Sequence, residues 1–240
     1  MDYYVPSDLK DGEKRPVIIV SPILGGNEVV DLFAKYYAER GFISVLVHRK
    51  KPNWEKGNEF QDIENHLRIS VIRLRQVVDW LEKQPQVDAK RIGTFGISYG
   101  SIMHVNFVAI EKRVKFNVMC LGGAPIGDVL VDSNDKGIRE RVKGMKISSG
   151  MNGDQIKEEL RKVIKTAPED LSKYINSDDV VFYVASFDMV VKTKHGFYLW
   201  NRLGKPKLKM TPLGHYTSVL LLPILQKQSY NEFKRRLIDE

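Results

Sequence analysis

One serine of the sequence has the surroundings of a nucleophile. Ser98 is the middle residue of the segment Gly96-Ile97-Ser98-Tyr99-Gly100, which follows a short apolar run and opens a helical pattern. The glycines on either side leave room for a tight strand-to-helix turn that would lift the serine hydroxyl into the open. Serine is a poor nucleophile at its free pKa, so such chemistry needs a base and an acid that orients the base. The alternative interpretation is a serine that only caps a helix.

The elements around this turn alternate between short β-branched runs and helical periods. We expect strands at 17–20, 43–47, 91–95, 114–121, 180–184 and 207–210, and helices at 28–40, 62–82, 99–110, 192–203 and 217–237, the last interrupted near Pro223. In the first helix the period places Val29, Leu32, Phe33 and Tyr36 on one face. At most one further strand fits before Val17, at Tyr3 to Pro6. The pattern therefore predicts an α/β protein with a mostly parallel sheet of about six or seven strands and helices on both faces.

The stretch 127–176 interrupts this alternation. It is polar, charged and helical in character, and it lies between two predicted strands. A connection of this length is too long for a plain loop. We therefore expect a single domain over residues 1–240 with a helical lid, or cap, at about 127–176 lying over one edge of the sheet. Apolar residues of the lid could line a site or simply pack the lid onto the body, namely Met145, Ile147, Met151 and Ile156.

With this order of elements, the chain resembles the α/β-hydrolase superfamily of serine hydrolases from Val17 to the last helix. The segment 86–93, QVDAKRIG, is similar to the approach to the nucleophile in the dienelactone-hydrolase and acetyl-esterase-like branch. The resemblance implies the α/β-hydrolase fold. It also implies a nucleophile, an acid and a histidine that follow one another in that order along the chain.

This order selects two further residues. His215 lies after the last predicted strand and before the last helix, where the family carries its base, and Asp188 follows the strand 180–184, where the family carries its acid. The other histidines precede the nucleophile or lie in predicted helices: His48, His66, His104 and His195. A loop histidine that caps the last helix and an aspartate in an Asx turn are the alternative interpretations. The resemblance thus implies a Ser98–His215–Asp188 triad.

An oxyanion hole requires two backbone N–H groups that point at the developing negative charge. The N–H of Tyr99, directly after the nucleophile, is the first candidate. The second should come from the loop after the first long strand, where many family members carry His-Gly and this chain carries Ser21-Pro22. Pro22 has no N–H, so the second donor is either Ile23 or Leu24, with a slight preference for Ile23.

Composition excludes several other classes of protein. The formal net charge is +8, but the lysines and arginines are scattered, which is typical of a solvated surface and predicts no nucleic-acid binding. The single cysteine, Cys120, lies in a predicted buried strand and is expected to be a structural thiol. No apolar stretch reaches the length of a membrane span. A cytoplasmic enzyme is the expectation.

The predicted function is hydrolysis of a small-molecule carboxylic ester through an acyl-enzyme, without a metal or cofactor. Short acyl chains are what the resemblance implies for a compact member of the family. Thioesters, lactones, amides and acyl transfer on the same triad stay open, because a fold does not fix its chemistry. A non-catalytic binding protein on the hydrolase fold is the alternative of another class, and a nucleic-acid binder is motivated by the charge alone.

Overall fold

The computed structural model describes residues 1–48 and 57–240, which form a seven-stranded sheet with helices on both faces. In chain order the strands are β1 (Asp2–Tyr4), β2 (Arg15–Ser21), β3 (Ile43–Leu46), β4 (Val87–Ile97), β5 (Val114–Cys120), β6 (Val180–Ala185) and β7 (Lys207–Thr211). They are arranged β1-β3-β2-β4-β5-β6-β7, and only the edge strand β1 runs antiparallel to its neighbour. The predicted α/β-hydrolase fold is confirmed.

Helices cover the sheet on both sides. They are α1 (Glu28–Ala38), α2 (Glu59–Leu81), α3 (Tyr99–Ile110), α4 (Ile126–Asp132), α5 (Lys136–Ser149), α6 (Gly153–Val163), α7 (Pro168–Leu171), α8 (Thr193–Arg202) and α9 (Leu222–Lys234). Helices α1 and α9 share one apolar core with the sheet, and α2, α3 and α8 share the other. Pro223 lies in the first turn of α9, after a short 3-10 turn, because a helix tolerates proline there. Among the described residues, no helix is both long and apolar enough to cross a membrane.

The strands are buried because both faces of the sheet are covered. Residues Val17 to Val20 of β2 have no exposed surface, and they form the continuous β-branched run that marks this strand in the sequence. On the α1 side, the ring of Phe95 from β4 stacks on Phe33 of α1, with ring centroids 4.3 Å apart. This packing fixes the C-terminal ends of the parallel strands, where side chains of the site are attached.

The buried face of α1 is shifted by one position from the expectation, and Phe33 is the one residue that the expected and observed faces share. Leu32 was expected on the buried face, but it is 49% exposed. The face against the sheet consists of Val30, Phe33, Ala34 and Tyr37. These side chains fill the space over β2 and β3, and Leu32 therefore falls on the solvent side, where isolated apolar residues are common.

The segment from α4 to α7, which we call the insertion, packs on helices of the body, and the lid over one edge of the sheet stays a prediction. The Glu64 carboxylate of α2 accepts hydrogen bonds from the backbone N–H groups of Lys165 and Thr166, each at 3.1 Å. The Asn106 side chain of α3 donates to the Thr166 carbonyl at 2.7 Å. These contacts tie the end of the insertion to the two helices beside the nucleophile.

The apolar residues proposed for the lid mostly pack it onto the body. Met145 and Ile156 are buried, with 1% and 0% exposure, and Met151 packs against the same core. Ile147 is 73% exposed and does neither. The packing interpretation is therefore correct for three of the four, and other residues of the insertion face the site.

Candidate active site

Ser98 lies in a strained turn between β4 and α3. Its backbone has φ 55° and ψ −117°, a conformation that residues other than glycine rarely adopt. A Cβ atom at Gly96 would lie 2.5 Å from the carbonyl carbon of Gly100, and one at Gly100 would lie 2.9 Å from the carbonyl oxygen of Ser21. The close approach of these backbones explains both glycines of the motif. The Ser98 side chain makes no capping hydrogen bond to α3.

The three residues predicted as a triad meet at one edge of the sheet. The Ser98 Oγ atom lies 2.9 Å from His215 Nε2, and His215 Nδ1 lies 2.7 Å from Asp188 Oδ2. The imidazole ring and the carboxylate are 9% and 2% exposed. Ser98, Asp188 and His215 follow β4, β6 and β7, and parallel strands end at the same edge. Residues far apart in the sequence are therefore brought into hydrogen-bonding distance.

The carboxylate of Asp188 is held on both of its oxygens. Its Oδ1 atom accepts hydrogen bonds from the backbone N–H groups of Val190 and Val191, at 2.8 and 2.9 Å. Through Oδ1, Asp188 thus forms the Asx-type turn of the alternative interpretation. Through Oδ2 it makes the contact with His215 that the triad interpretation requires. The two backbone donors fix the carboxylate so that Oδ2 faces the imidazole ring.

A cavity of about 700 Å³ borders Ser98 and His215. Tyr99, Ile23 and Leu24, the predicted oxyanion-hole residues, line the same cavity. Tyr99 is the first residue of α3, and the N–H groups of a first helical turn have no partner within the helix. Ile23 pairs with Gly26 in a single antiparallel bridge, which tightens the loop after β2. The identity of the second donor stays a prediction.

A buried hydrogen bond links this loop to the helix after the nucleophile. Ser21 Oγ, at the end of β2, lies 2.7 Å from His104 Nε2 of α3, and His104 has no exposed surface. Burial lowers the pKa of His104 to about 3, so its ring is neutral at neutral pH. Sequence analysis placed His104 only in a helix. The one signal for the contact is a polar Ser21 that ends an apolar strand.

A second contact missed by sequence analysis lies at the cavity wall. The Tyr99 hydroxyl is 2.5 Å from His66 Nε2 of α2, and the two rings stack with centroids 5.6 Å apart. Both side chains line the cavity. The pair brings α2 against the first turn of α3, and it depends on how the two helices pack, which the sequence does not display.

Residues 1–48 and 57–240 assemble neither a metal site nor a reactive thiol. Within these ranges, no group of three or more histidine, cysteine, aspartate or glutamate side chains is placed to hold a metal ion. The single thiol, Cys120, is buried in β5, and burial raises its pKa well above the ordinary value. A buried protonated thiol is inert, in agreement with the structural role expected for it.

Comparison with known proteins gives the following matches. Residues 29–211 match the prolyl oligopeptidase family, a span that contains Ser98 and Asp188. An uncharacterised Pseudomonas aeruginosa protein is 30% identical over 116 residues, which cover 48% of this chain and 30% of that protein. An acetyl xylan esterase from Paenibacillus sp. R4 has a TM-score of 0.76 at 12% identity, covering 98% of this chain and 78% of the esterase. The Pyrococcus horikoshii acylaminoacyl peptidase has a TM-score of 0.70 at 21% identity, covering 98% of this chain and 39% of the peptidase.

These matches differ in what they establish. The two solved structures show that this chain has the same fold. Because their sequence identities are low, they show nothing beyond the fold. The chain spans less than a third of the Pseudomonas protein. The dienelactone-hydrolase and acetyl-esterase-like branch stays a prediction. The family match covers most of the chain and includes the strand-to-helix turn at Ser98. The chain therefore belongs to the prolyl oligopeptidase family and has the α/β-hydrolase fold.

Proposed function

We propose that this protein hydrolyses carboxylic esters through an acyl-enzyme on Ser98. In this mechanism His215 accepts the Ser98 proton as the hydroxyl oxygen attacks the ester carbonyl. Asp188 holds the imidazole ring in the required tautomer and stabilises the imidazolium that forms. The N–H of Tyr99 and that of Ile23 or Leu24 donate hydrogen bonds to the oxyanion.

The second half of the cycle uses the same groups. The imidazolium of His215 donates its proton to the leaving alkoxide, so that the alcohol departs and the acyl group remains on Ser98. His215 then removes a proton from water, which attacks the acyl-enzyme. Collapse of the second tetrahedral intermediate returns the proton to Ser98 Oγ and releases the carboxylic acid.

The hydrogen-bonded chain from Ser98 through His215 to Asp188, at 2.9 and 2.7 Å, is the observation that carries this proposal. Nucleophile and base are already within the distance at which a proton is transferred. The strained backbone of Ser98 and the adjoining cavity support the same conclusion, because strain of this kind is retained where the surrounding structure enforces it.

Hydrolysis of an amide bond is the second candidate. The matched family is named for an oligopeptidase, and a structural neighbour is an acylaminoacyl peptidase. The triad chemistry is the same, but the amine is a poorer leaving group and depends more on protonation by His215. Rates on p-nitrophenyl butyrate and on the matching p-nitroanilide separate the two candidates, since only an amidase turns over the anilide at a comparable rate.

A fluorophosphonate probe tests the nucleophile directly. We expect intact-mass analysis to show one probe adduct per chain, and peptide mapping to place it on Ser98. Ser98→Ala should abolish both labelling and turnover of p-nitrophenyl butyrate. Ser101→Ala is the matched control, because Ser101 lies on the same helix and is fully buried. Labelling that survives Ser98→Ala, or a folded wild type that is neither labelled nor active, would contradict the proposal.

A further inference from the structure

The cavity beside Ser98 is much larger than a short acyl group requires. Its volume is about 700 Å³. A methylene group occupies about as much space as a water molecule in the liquid, about 30 Å³. An acetyl group would therefore fill less than about a tenth of the cavity, and most of the wall would contact nothing on such a substrate.

The wall of this cavity is predominantly apolar, and three of the elements that contribute to it surround the space beside Ser98. Helix α2 contributes Ile63 and Leu67, the insertion contributes Val129, Leu130 and Ile138, and α9 contributes Leu222. Water gains few hydrogen bonds at such a surface, so an apolar ligand group that displaces it is favoured. The wall selects for apolar area on the substrate.

Polar side chains at the wall are engaged with protein groups. The Tyr216 hydroxyl donates to Asp135, whose other oxygen accepts the backbone N–H of Ile138 at 2.8 Å. The Tyr99 hydroxyl pairs with His66, as described above. Arg141 also lines the cavity, and it too interacts with another group of the protein. The two tyrosine hydroxyls therefore have hydrogen-bond partners without a ligand, so neither requires a polar group on the substrate.

We propose that the natural substrate is an ester that carries an extended apolar chain, up to about twenty carbons by volume, against the wall formed by α2 and the insertion. This inference rests on the proposed ester hydrolysis at Ser98, and it replaces the short acyl chain that the family resemblance implies. The shared chemistry is an apolar chain on either side of the ester bond.

Two substrate series locate the chain. One varies the acyl group, from p-nitrophenyl acetate to the palmitate, and the other varies the alcohol, from ethyl to decyl acetate in a pH-stat, both below the solubility limit. The specificity constant kcat/KM should rise about fourfold per added methylene, until the cavity is full, in the series whose chain enters the cavity. A specificity constant that is highest for acetate and ethyl acetate, and falls with each added carbon, would overturn the inference.

Substitutions in the insertion test whether this wall holds the chain. Val129→Trp and Ile138→Trp each add a bulky ring to the cavity and should lower the ratio of long-chain to short-chain kcat/KM at least tenfold. Ile147→Trp is the matched control, because Ile147 lies in the same insertion but is 73% exposed and is absent from the cavity wall. The control should keep the wild-type ratio. Equal ratios in all four proteins would contradict the assignment of the wall.

The design keeps the two proposals separable. Val129 is 5% exposed and Ile138 is half-buried, so Ile138→Trp carries the test if the tighter position does not fold. No turnover of any ester, together with no probe labelling of Ser98, would overturn the proposed function. Turnover with labelled Ser98, but with acetate as the best substrate, would overturn only the extended chain.

Discussion

The described residues include two part-buried histidine–aspartate pairs that differ in which ring nitrogen meets the carboxylate. His215 uses Nδ1 to reach Asp188 at 2.7 Å, and its Nε2 faces Ser98. His195 uses Nε2 to reach Asp132 at 3.1 Å. The nitrogen at the tip of the His195 ring is therefore occupied by the carboxylate. Proximity to an aspartate alone does not distinguish the proposed base from a structural histidine, whereas the ring nitrogen that meets the carboxylate does.

The two carboxylates also have different neighbours. Asp188 accepts two backbone N–H groups, which orient it without adding charge. Asp132 lies 2.9 Å from Lys157 Nζ and 2.7 Å from Lys194 Nζ. Burial raises the pKa of Asp132, but hydrogen bonds from these lysines and from His195 outweigh burial and hold the pKa far below its usual range. The second pair is a charge cluster that ties α4, α6 and α8 together.

The largest expected difference between the two pairs is in the activity lost when each histidine is replaced by asparagine. His215→Asn removes the proposed base and should lower kcat/KM on an ester by about 10⁴-fold or more. His195→Asn leaves Ser98 and its partners in place, and the rate should stay within about threefold of wild type. Initial rates on p-nitrophenyl butyrate measure both. Similar losses in the two variants would break the distinction drawn from the ring nitrogens.

The aspartates should separate activity from stability. Asp188→Asn disturbs the orientation and tautomer of His215, so kcat should fall by about 10³- to 10⁴-fold. Asp132→Asn should leave kcat within about threefold, but it leaves Lys157 and Lys194 without their carboxylate. We therefore expect the free energy of unfolding to fall by about 2 kcal/mol. Urea titration monitored by tryptophan fluorescence gives the stability, and an inactive but stable Asp132→Asn protein would refute this division.

Much of the fold could be predicted because its strands are buried on both faces. Such strands appear as short continuous apolar runs, and β6 was expected at 180–184 and is found at Val180–Ala185. Helix α3 was expected at 99–110 and is found there, since the tight turn at Ser98 fixes its first residue. The meeting of Ser98, Asp188 and His215 could be expected from their order, because each follows a strand that ends at the same edge.

What the sequence could not predict depends on lateral packing. Ser21 and His104 are 83 positions apart. A polar residue at the end of the strand marks Ser21, but nothing in either segment identifies the other residue as its partner. The orientation of apolar side chains in the insertion could not be predicted either. Its periodicity marks amphipathic helices, but it does not say whether an apolar side chain will face the body, the cavity or solvent. Ile138 lines the cavity, whereas Ile147 is exposed.

The pH dependence of the free energy of unfolding tests whether the pKa of His195 is lowered. Burial lowers the pKa of His195 below its ordinary value. As the pH falls below about 6.5, the unfolded chain takes up a proton that the folded ring refuses, so stability decreases by at most about 1.4 kcal/mol per pH unit. His195→Asn should lose less stability than wild type between pH 7 and pH 5 in urea titrations. His104 contributes equally to both proteins, so the difference reports His195, and parallel curves would contradict its lowered pKa.

The smallest expected effect concerns the two lysines of the charge cluster. The Lys194 side chain is 65% exposed, and water already solvates most of its charge, so Lys194→Met should cost less than about 0.5 kcal/mol of unfolding free energy. Lys157 is 17% exposed and lies close to three carboxylates, of Asp128, Asp132 and Asp154, so Lys157→Met should cost more, about 1 kcal/mol. In the background of Asp132→Asn both costs should shrink, because the shared partner is gone. If Lys194→Met proved the costlier change, the exposed lysine would hold the cluster. Burial of the lysine would then not determine how strongly it stabilises the His195–Asp132 pair.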